Sequence, residues 1–250
     1  LKPVSERKVF GLFLCSVYFM RQRYAHARYI TNLIYVNSNL NHYHCDWLNR
    51  FMPDELNKLQ QLQIADKIGL NIPHTFLKTH LNKQDFSSHL ITKPMSDGIG
   101  LSIGNAYYKT YTSEVSQDIC NKSFLISLFQ QKIEKEIELR VFFLEKKCHT
   151  IAILSQSDPQ TAIDYRNYNH SHFNRLEHYA LPRDVSQKIE LFMEHFNLQT
   201  GSLDFIIDKQ GKHIFLEVNP SGQYGIFNAC NIYPDKLIAE YLLKKHYEHH

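Results

Sequence analysis

The sequence predicts an α+β fold. Three observations carry that prediction. Strand-like runs cluster between residues 90 and 154 and recur between 203 and 219. Helical periodicity is confined to separate segments near 54–68, 182–196 and 234–247. A glycine-rich loop at 96–104 leads into another strand, not into the helix that a dinucleotide-binding turn or a P-loop requires.

Taken in order, residues 1–47 show no clean period. The apolar run 9–20 fits a buried strand or a helix, and 21–35 is rich in Arg and Tyr. A helix is expected to open at Pro53-Asp54-Glu55, with acids at its positive end. It carries Leu56, Leu59, Leu62 and Ala65 at helical spacing and stops at Gly69. Residues 70–76, interrupted by Pro73, read as an edge strand. Residues 90–94 read as a strand with Lys93 near its end, and Gly98, Gly100 and Gly104 follow in a loop able to close over an anion. The Tyr- and Thr-rich run 106–115 is expected as strand, as are 124–133, 138–144 and 149–154, the last two joined by Glu145-Lys146-Lys147. On 138–144, Glu138 and Arg140 share one face while Leu139 and Val141 take the other. Residues 156–177 are polar and carry Arg166 and Arg175, after which 182–196 reads as an amphipathic helix. A final helix is expected over 234–247.

The 250 residues suffice for one large domain or two small ones, with a composition typical of a globular chain. The net charge of +3 and the absence of any Lys/Arg block give nucleic-acid binding no support. No apolar run reaches the length that spans a bilayer, so no membrane partner is expected. Five cysteines, odd in number and without C-x-x-C pairs, argue against a disulfide framework and a zinc site and fit a reducing cytoplasm. The fifteen histidines show no metal-ligand spacing, and the Tyr pairs fit packing better than base stacking.

The most informative stretch is 201–222, GSLDFIIDKQGKHIFLEVNPSG. Two apolar-rich runs flank Lys209-Gln210-Gly211-Lys212, which predicts a β-hairpin. With Gln210 and Gly211 at the turn centre, Asp204 falls opposite Glu217, and Asn219 follows on the face of Glu217. Like charges directly opposite one another, between Leu203, Phe205, Leu216 and Val218, destabilise a hairpin unless a cation neutralises them. Two carboxylates and an amide oxygen suit a hard ion, in a cell Mg²⁺ held jointly with nucleotide phosphates. Spacing alone is equally compatible with three polar residues on a solvent-exposed face.

Several segments, in order, resemble the ATP-grasp family over about residues 57–241. Asn57-Lys58-Leu59-Gln60-Gln61-Leu62, then Ala65 and 69–75 (GLNIPHT), is similar to the start of the family's nucleotide-binding subdomain. The resemblance implies that Lys58 and Lys93 contact phosphates. It also implies that Gln131, Lys132 and Ile133 form the hinge against adenine through backbone groups, with Gln131 where an acid is expected. By the same likeness Arg140, in Glu138-Leu139-Arg140-Val141, reaches the terminal phosphate. Arg166, in Asp164-Tyr165-Arg166, lies near phosphate and substrate, and Asp204, Glu217 and Asn219 are the Mg²⁺ ligands of the LDF and LEVNP signature. The implied layout is a nucleotide held between two α+β subdomains, 54–133 and 134–250, with a shortened N-terminal region at 1–53.

Within that family the likeness is to peptide maturases of the grasp-with-spasm type, kin of the microviridin-like macrocyclising ligases called graspetide enzymes. Lys132-Ile133-Glu134-Lys135, Ala152-Ile153-Leu154-Ser155-Gln156, Asp164-Tyr165-Arg166-Asn167-Tyr168 and 215–224 (FLEVNPSGQY) carry it. It implies ATP and Mg²⁺ as cofactors and a ribosomal precursor peptide with a leader as substrate. The peptide's Asp or Glu side chains would be phosphorylated and then joined to Ser, Thr or Lys of the same peptide. A homodimer is compatible with it. Two other readings fit the same nucleotide residues: a ligase adding amino acids to a peptide or protein C-terminus, and a peptide-binding module of this fold without turnover.

Overall fold

A computed structural model describes residues 48–49, 56–93, 100–103, 106–109, 112–155, 174–222 and 224–248. The expectations for 1–47, Pro53 to Glu55, 96–99, Gly104 and Arg166 fall outside these residues. The chain divides into two compact units, Leu1–Asp54 and Glu55–His250, and every element named below belongs to the second.

The first described helix, α1 (Lys58–Ile68), starts later than the acids at 54–55 suggest, because Asn57 caps it. The Asn57 side chain accepts the N–H groups of Leu59 and Gln60 at 2.9 and 3.3 Å, which satisfies donors that the helix itself cannot. Gly69 ends α1 at φ 89°, a left-handed conformation that costs glycine little. The following strand, β1 (Thr75–His80), also begins later than expected. Residues 70–74 are otherwise engaged: Leu70 is buried in the core, and Asn71 forms an isolated parallel bridge to Ile214.

Ten more strands follow: β2 (Leu90–Lys93), β3 (Gly100–Ile103), β4 (Ala106–Lys109), β5 (Ser113–Glu114), β6 (Ser123–Gln131), β7 (Lys135–Leu144), β8 (Lys147–Leu154), β9 (Arg175–His178), β10 (Thr200–Asp208) and β11 (His213–Asn219). Among the described residues two further α-helices follow, α2 (Arg183–His195) and α3 (Pro234–Glu248). Among the described residues the strands form an antiparallel five-stranded sheet in the order β11-β10-β7-β8-β9, a four-stranded sheet β1-β6-β2-β5 and the two-stranded pair β3-β4. The run expected as one strand over 106–115 is split between β4 and β5. Glu145 and Lys146 both have positive φ, 48° and 64°, as the tight β7–β8 turn requires of its two central residues.

One face of the five-stranded sheet is apolar. Leu139, Val141 and Phe143 of β7, Leu203 and Phe205 of β10, and Phe215 and Val218 of β11 pack with Leu62 and Ala65 of α1 and with Ile189, Phe192 and Met193 of α2. Burying each large side chain there contributes about 1.5–3 kcal/mol, so this layer fixes which face of β7, β10 and β11 remains for polar groups. Among the described residues no helix is long and apolar enough to cross a membrane.

Candidate active site

The opposite face of that sheet carries the charges. β10 and β7 keep one register from Thr200–Leu144 to Ile207–Ile137, which puts Asp204 beside Arg140. β10 and β11 pair Asp204 with Glu217, Leu203 with Val218 and Ser202 with Asn219. Arg140, Asp204 and Glu217 therefore stand in one row across three strands.

The hairpin reaches this pairing by a different route from the symmetric turn. Its loop is Lys209-Gln210-Gly211, with Gly211 at φ 78° and its N–H bonded to Asp208 O at 2.9 Å. The Asp208 carboxylate accepts the N–H groups of Gln210 and Lys212 at 2.9 and 2.8 Å. Near the turn Ile207 faces His213 and Phe205 faces Phe215, one residue off the expected register, and a bulge between Asp204 and Phe205 restores it. The extra residue is Leu216. Strict alternation groups Leu216 with Val218, but only Phe215 and Val218 join the helix-covered core. Leu216 and Glu217, both half-buried, thus fall consecutively on the charged face.

Each carboxylate of the row has a cationic partner. The Arg140 guanidinium is paired with Asp204, and Lys58 Nζ lies 3.1 Å from Glu217 Oε2. Lys58 comes from α1, whose position over β11 is pinned by Gln61. That buried side chain accepts the Val218 N–H at 2.8 Å and donates to Leu56 O at 2.9 Å. Sequence reading does not find Gln61, since its role exists only once α1 lies on β11.

Asn219 closes the row's neighbourhood. Its Oδ1 accepts the Ser221 N–H at 3.0 Å, and Gly222 N–H bonds to Asn219 O at 3.2 Å, a tight turn that lays Gly222 on Ser202. A Cβ at position 222 would come within 2.3 Å of Ser202 Cβ, so the turn needs glycine. Tyr224 follows, edge-on to Phe142 at 5.0 Å between ring centroids; burial raises its pKa, and its hydroxyl is hydrogen-bonded with Thr200.

Glu138, one row from Arg140 on the same face, is buried. Lys135 Nζ lies 2.5 Å from its Oε1 and Ser155 Oγ donates to the same oxygen at 2.7 Å. Burial raises the Glu138 pKa above the ordinary carboxylate value despite both contacts.

Lys93, Gln131 and Lys132 lie on the four-stranded sheet and the connection leaving it. Lys93 pairs in register with Leu128 and through it with Leu77, on the face opposite the apolar cluster of Phe76, Phe129 and Leu90. The Gln131 N–H donates to His74 O at 3.0 Å and the Lys132 N–H to His89 O at 2.8 Å, while the Lys132 side chain pairs with Glu114. Gln131 and Ile133 line a cavity of about 520 Å³ with Ile72, His74, Asp208 and Ile214. Ile214 is next to Phe215 and pairs with Ile206, two residues along β10 from Asp204. The cavity therefore begins one apolar pair away from the acidic row.

Among the described residues no three His, Cys, Asp or Glu side chains gather as a metal site. The row instead offers two carboxylates and, two pairs on, an amide. That all-oxygen set fits a hard divalent ion and fits a zinc-like ion poorly.

No family model and no curated protein matches the sequence. Solved structures do. An ATP-grasp ligase associated with ribosomal peptides from Chryseobacterium gregarium, in complex with ADP and a leader and core peptide, matches 75% of this chain and 59% of its own at 23% identity and a TM-score of 0.65. The macrocyclase MdnC from Microcystis aeruginosa, bound with precursor peptide MdnA, matches 67% of this chain and 54% of its own at 26% identity and a TM-score of 0.56. The macrocyclase MdnB from the same organism matches 85% and 67% at 24% identity and a TM-score of 0.63. The chain has the ATP-grasp fold and spans between 54% and 67% of the length of these three proteins.

Proposed function

We propose that this chain is an ATP-dependent carboxylate ligase that phosphorylates Asp or Glu side chains of a ribosomal precursor peptide and closes ester or amide cross-links with its Ser, Thr or Lys side chains. The observation that carries the reading is the row Arg140, Asp204, Glu217 and Lys58, set on a fold shared with ligases solved with ADP and peptide.

A carboxylate is a poor electrophile until one of its oxygens can leave. In the first step that oxygen attacks the γ-phosphorus of ATP, the bond to the β–γ bridging oxygen breaks, and ADP departs from an acyl phosphate. In the second a hydroxyl or amine attacks the acyl carbon, and phosphate leaves with the nucleophile's proton. The protein's work is to position the groups and offset charge. Lys93 on the four-stranded sheet, Arg140 on the five-stranded sheet and Lys58 on the helix packed over it supply cations to the phosphates, joined by Arg166 from the sequence resemblance. Ile206 and Leu216 offer apolar surface beside the carboxylates for the base. With the Gln131 and Lys132 N–H groups already bonded, the Ile133 N–H is the hinge donor left to read it. Asp204, Glu217 and Asn219 would hold Mg²⁺, which supplies positive charge at the phosphate oxygens. The subdomains 54–133 and 134–250 close on the nucleotide from either side.

The test is incubation with Mg-ATP and a candidate precursor peptide that carries a leader and a core with Asp, Glu, Ser, Thr and Lys, followed by mass spectrometry and ADP release. The expected product is lighter by one water for each ADP formed. A peptide that gains amino-acid residues instead would move the reading to C-terminal ligation, and unchanged peptide without ADP would overturn it.

A further inference from the structure

The pairing of Lys58 with Glu217 is built into the fold. Asn57 fixes the first turn of α1, and Gln61, one turn on, holds the helix to the N–H of Val218, the residue after Glu217. Lys58 is thereby delivered to the carboxylate at 3.1 Å, with the two side chains only 14% and 18% exposed, where an ion pair is screened less than at the surface. We propose that Lys58 is a built-in counter-cation of Glu217 that a divalent ion must displace, so that metal ion and polyphosphate enter the site together. The inference rests on the Mg-ATP reading of this site.

A divalent ion arriving alone has to break the pair and then sit beside an ammonium that has lost its partner. A polyphosphate arriving alone has to draw the ammonium away and leave Glu217 facing Asp204. When both arrive, the phosphates take the ammonium as the ion takes the carboxylate, and no charge is stranded. Lys58 thus couples the two affinities, and the coupling is reciprocal.

Removing Lys58 then changes two affinities in opposite directions. The free divalent ion gains, because it no longer has to displace Lys58 from Glu217, and the nucleotide loses a cation. A lysine that only contacts phosphate changes the second alone, and a surface lysine changes neither.

The experiment measures Mn²⁺ binding to the full chain by electron paramagnetic resonance without nucleotide, and ADP binding by calorimetry in the presence of a chelator. Lys58→Met should bind Mn²⁺ about tenfold more tightly and ADP about tenfold more weakly, each equal to ~1.4 kcal/mol. Lys58→Arg, which keeps the charge, should hold Mn²⁺ affinity near the parent's, and thermal unfolding checks that both variants fold. If Glu217→Gln weakens Mn²⁺ binding but Lys58→Met leaves it unchanged or weaker, the counter-cation role is wrong while the metal site stands. If Glu217→Gln leaves Mn²⁺ binding intact, the metal assignment falls and this inference with it.

Discussion

Glu138 holds a carboxyl where water hardly reaches. Its folded pKa is raised by burial, so between its unfolded value near 4.5 and that raised value the folded chain binds more protons than the unfolded one. Stability then falls as pH rises through this window and levels off above the folded pKa. Lys135 and Ser155 limit the loss without reversing it. In Glu138→Gln the decline should vanish, and denaturant unfolding from pH 4 to 8, taken as the difference between parent and variant, measures it. A difference independent of pH would mean that Glu138 does not titrate in that window. Arg140, two residues along the same strand, shows the opposite arrangement, a buried cation paired with the register neighbour that the sheet supplies.

At the scale of elements, α1 and β11 are joined by a polar clamp inside an apolar layer. Among the described residues Gln61 is the acceptor of the Val218 N–H, so Gln61→Leu leaves a buried donor unsatisfied and should cost about 1–3 kcal/mol. Hydrogen exchange at Val218 should accelerate beyond what the global loss explains, whereas protection equal to the parent's would show that another group takes the donor. This clamp marks where reading residues in a line runs out. The facing of Asp204 and Glu217 was legible in the hairpin pattern, yet through two offsetting departures: the loop has three residues, and the bulge at Leu216 puts back the residue of register that the loop removes. Glu138 and Arg140 on one face followed from alternation in β7. β9, four residues long with Leu176 its one apolar residue, left no period to read. The start of α1 was obscured because Asp54 and Glu55 imitate a first turn that Asn57 in fact caps. The partner of Lys58 depends on a helix crossing a strand some 160 residues away in sequence, which no local pattern encodes.

In the proposed function the nucleotide contacts divide between two sheets. Lys93 belongs to the four-stranded sheet and the acidic row to the five-stranded one, so in the proposed function a bound nucleotide ties them together. Mg-ATP at a hundredfold excess over its dissociation constant should stabilise the chain by about 2.7 kcal/mol. Lys93→Met should lower ATP affinity roughly tenfold to a hundredfold, the cost of one charge-assisted phosphate contact, while leaving the melting temperature without ligand near the parent's. Thermal shift against ATP concentration reads both quantities. Equal affinities in parent and variant would place Lys93 outside the nucleotide site.

The row also has a kinetic consequence. Lys58, Glu217, Asp204 and Arg140 run plus, minus, minus, plus, so their charges sum to zero before any ligand arrives. Seen from beyond a Debye length, such an arrangement casts almost no field. An approaching triphosphate is therefore not steered by these four residues and feels them only on contact, when each charge is met singly. In the proposed function the row therefore governs how long the nucleotide stays far more than how fast it comes.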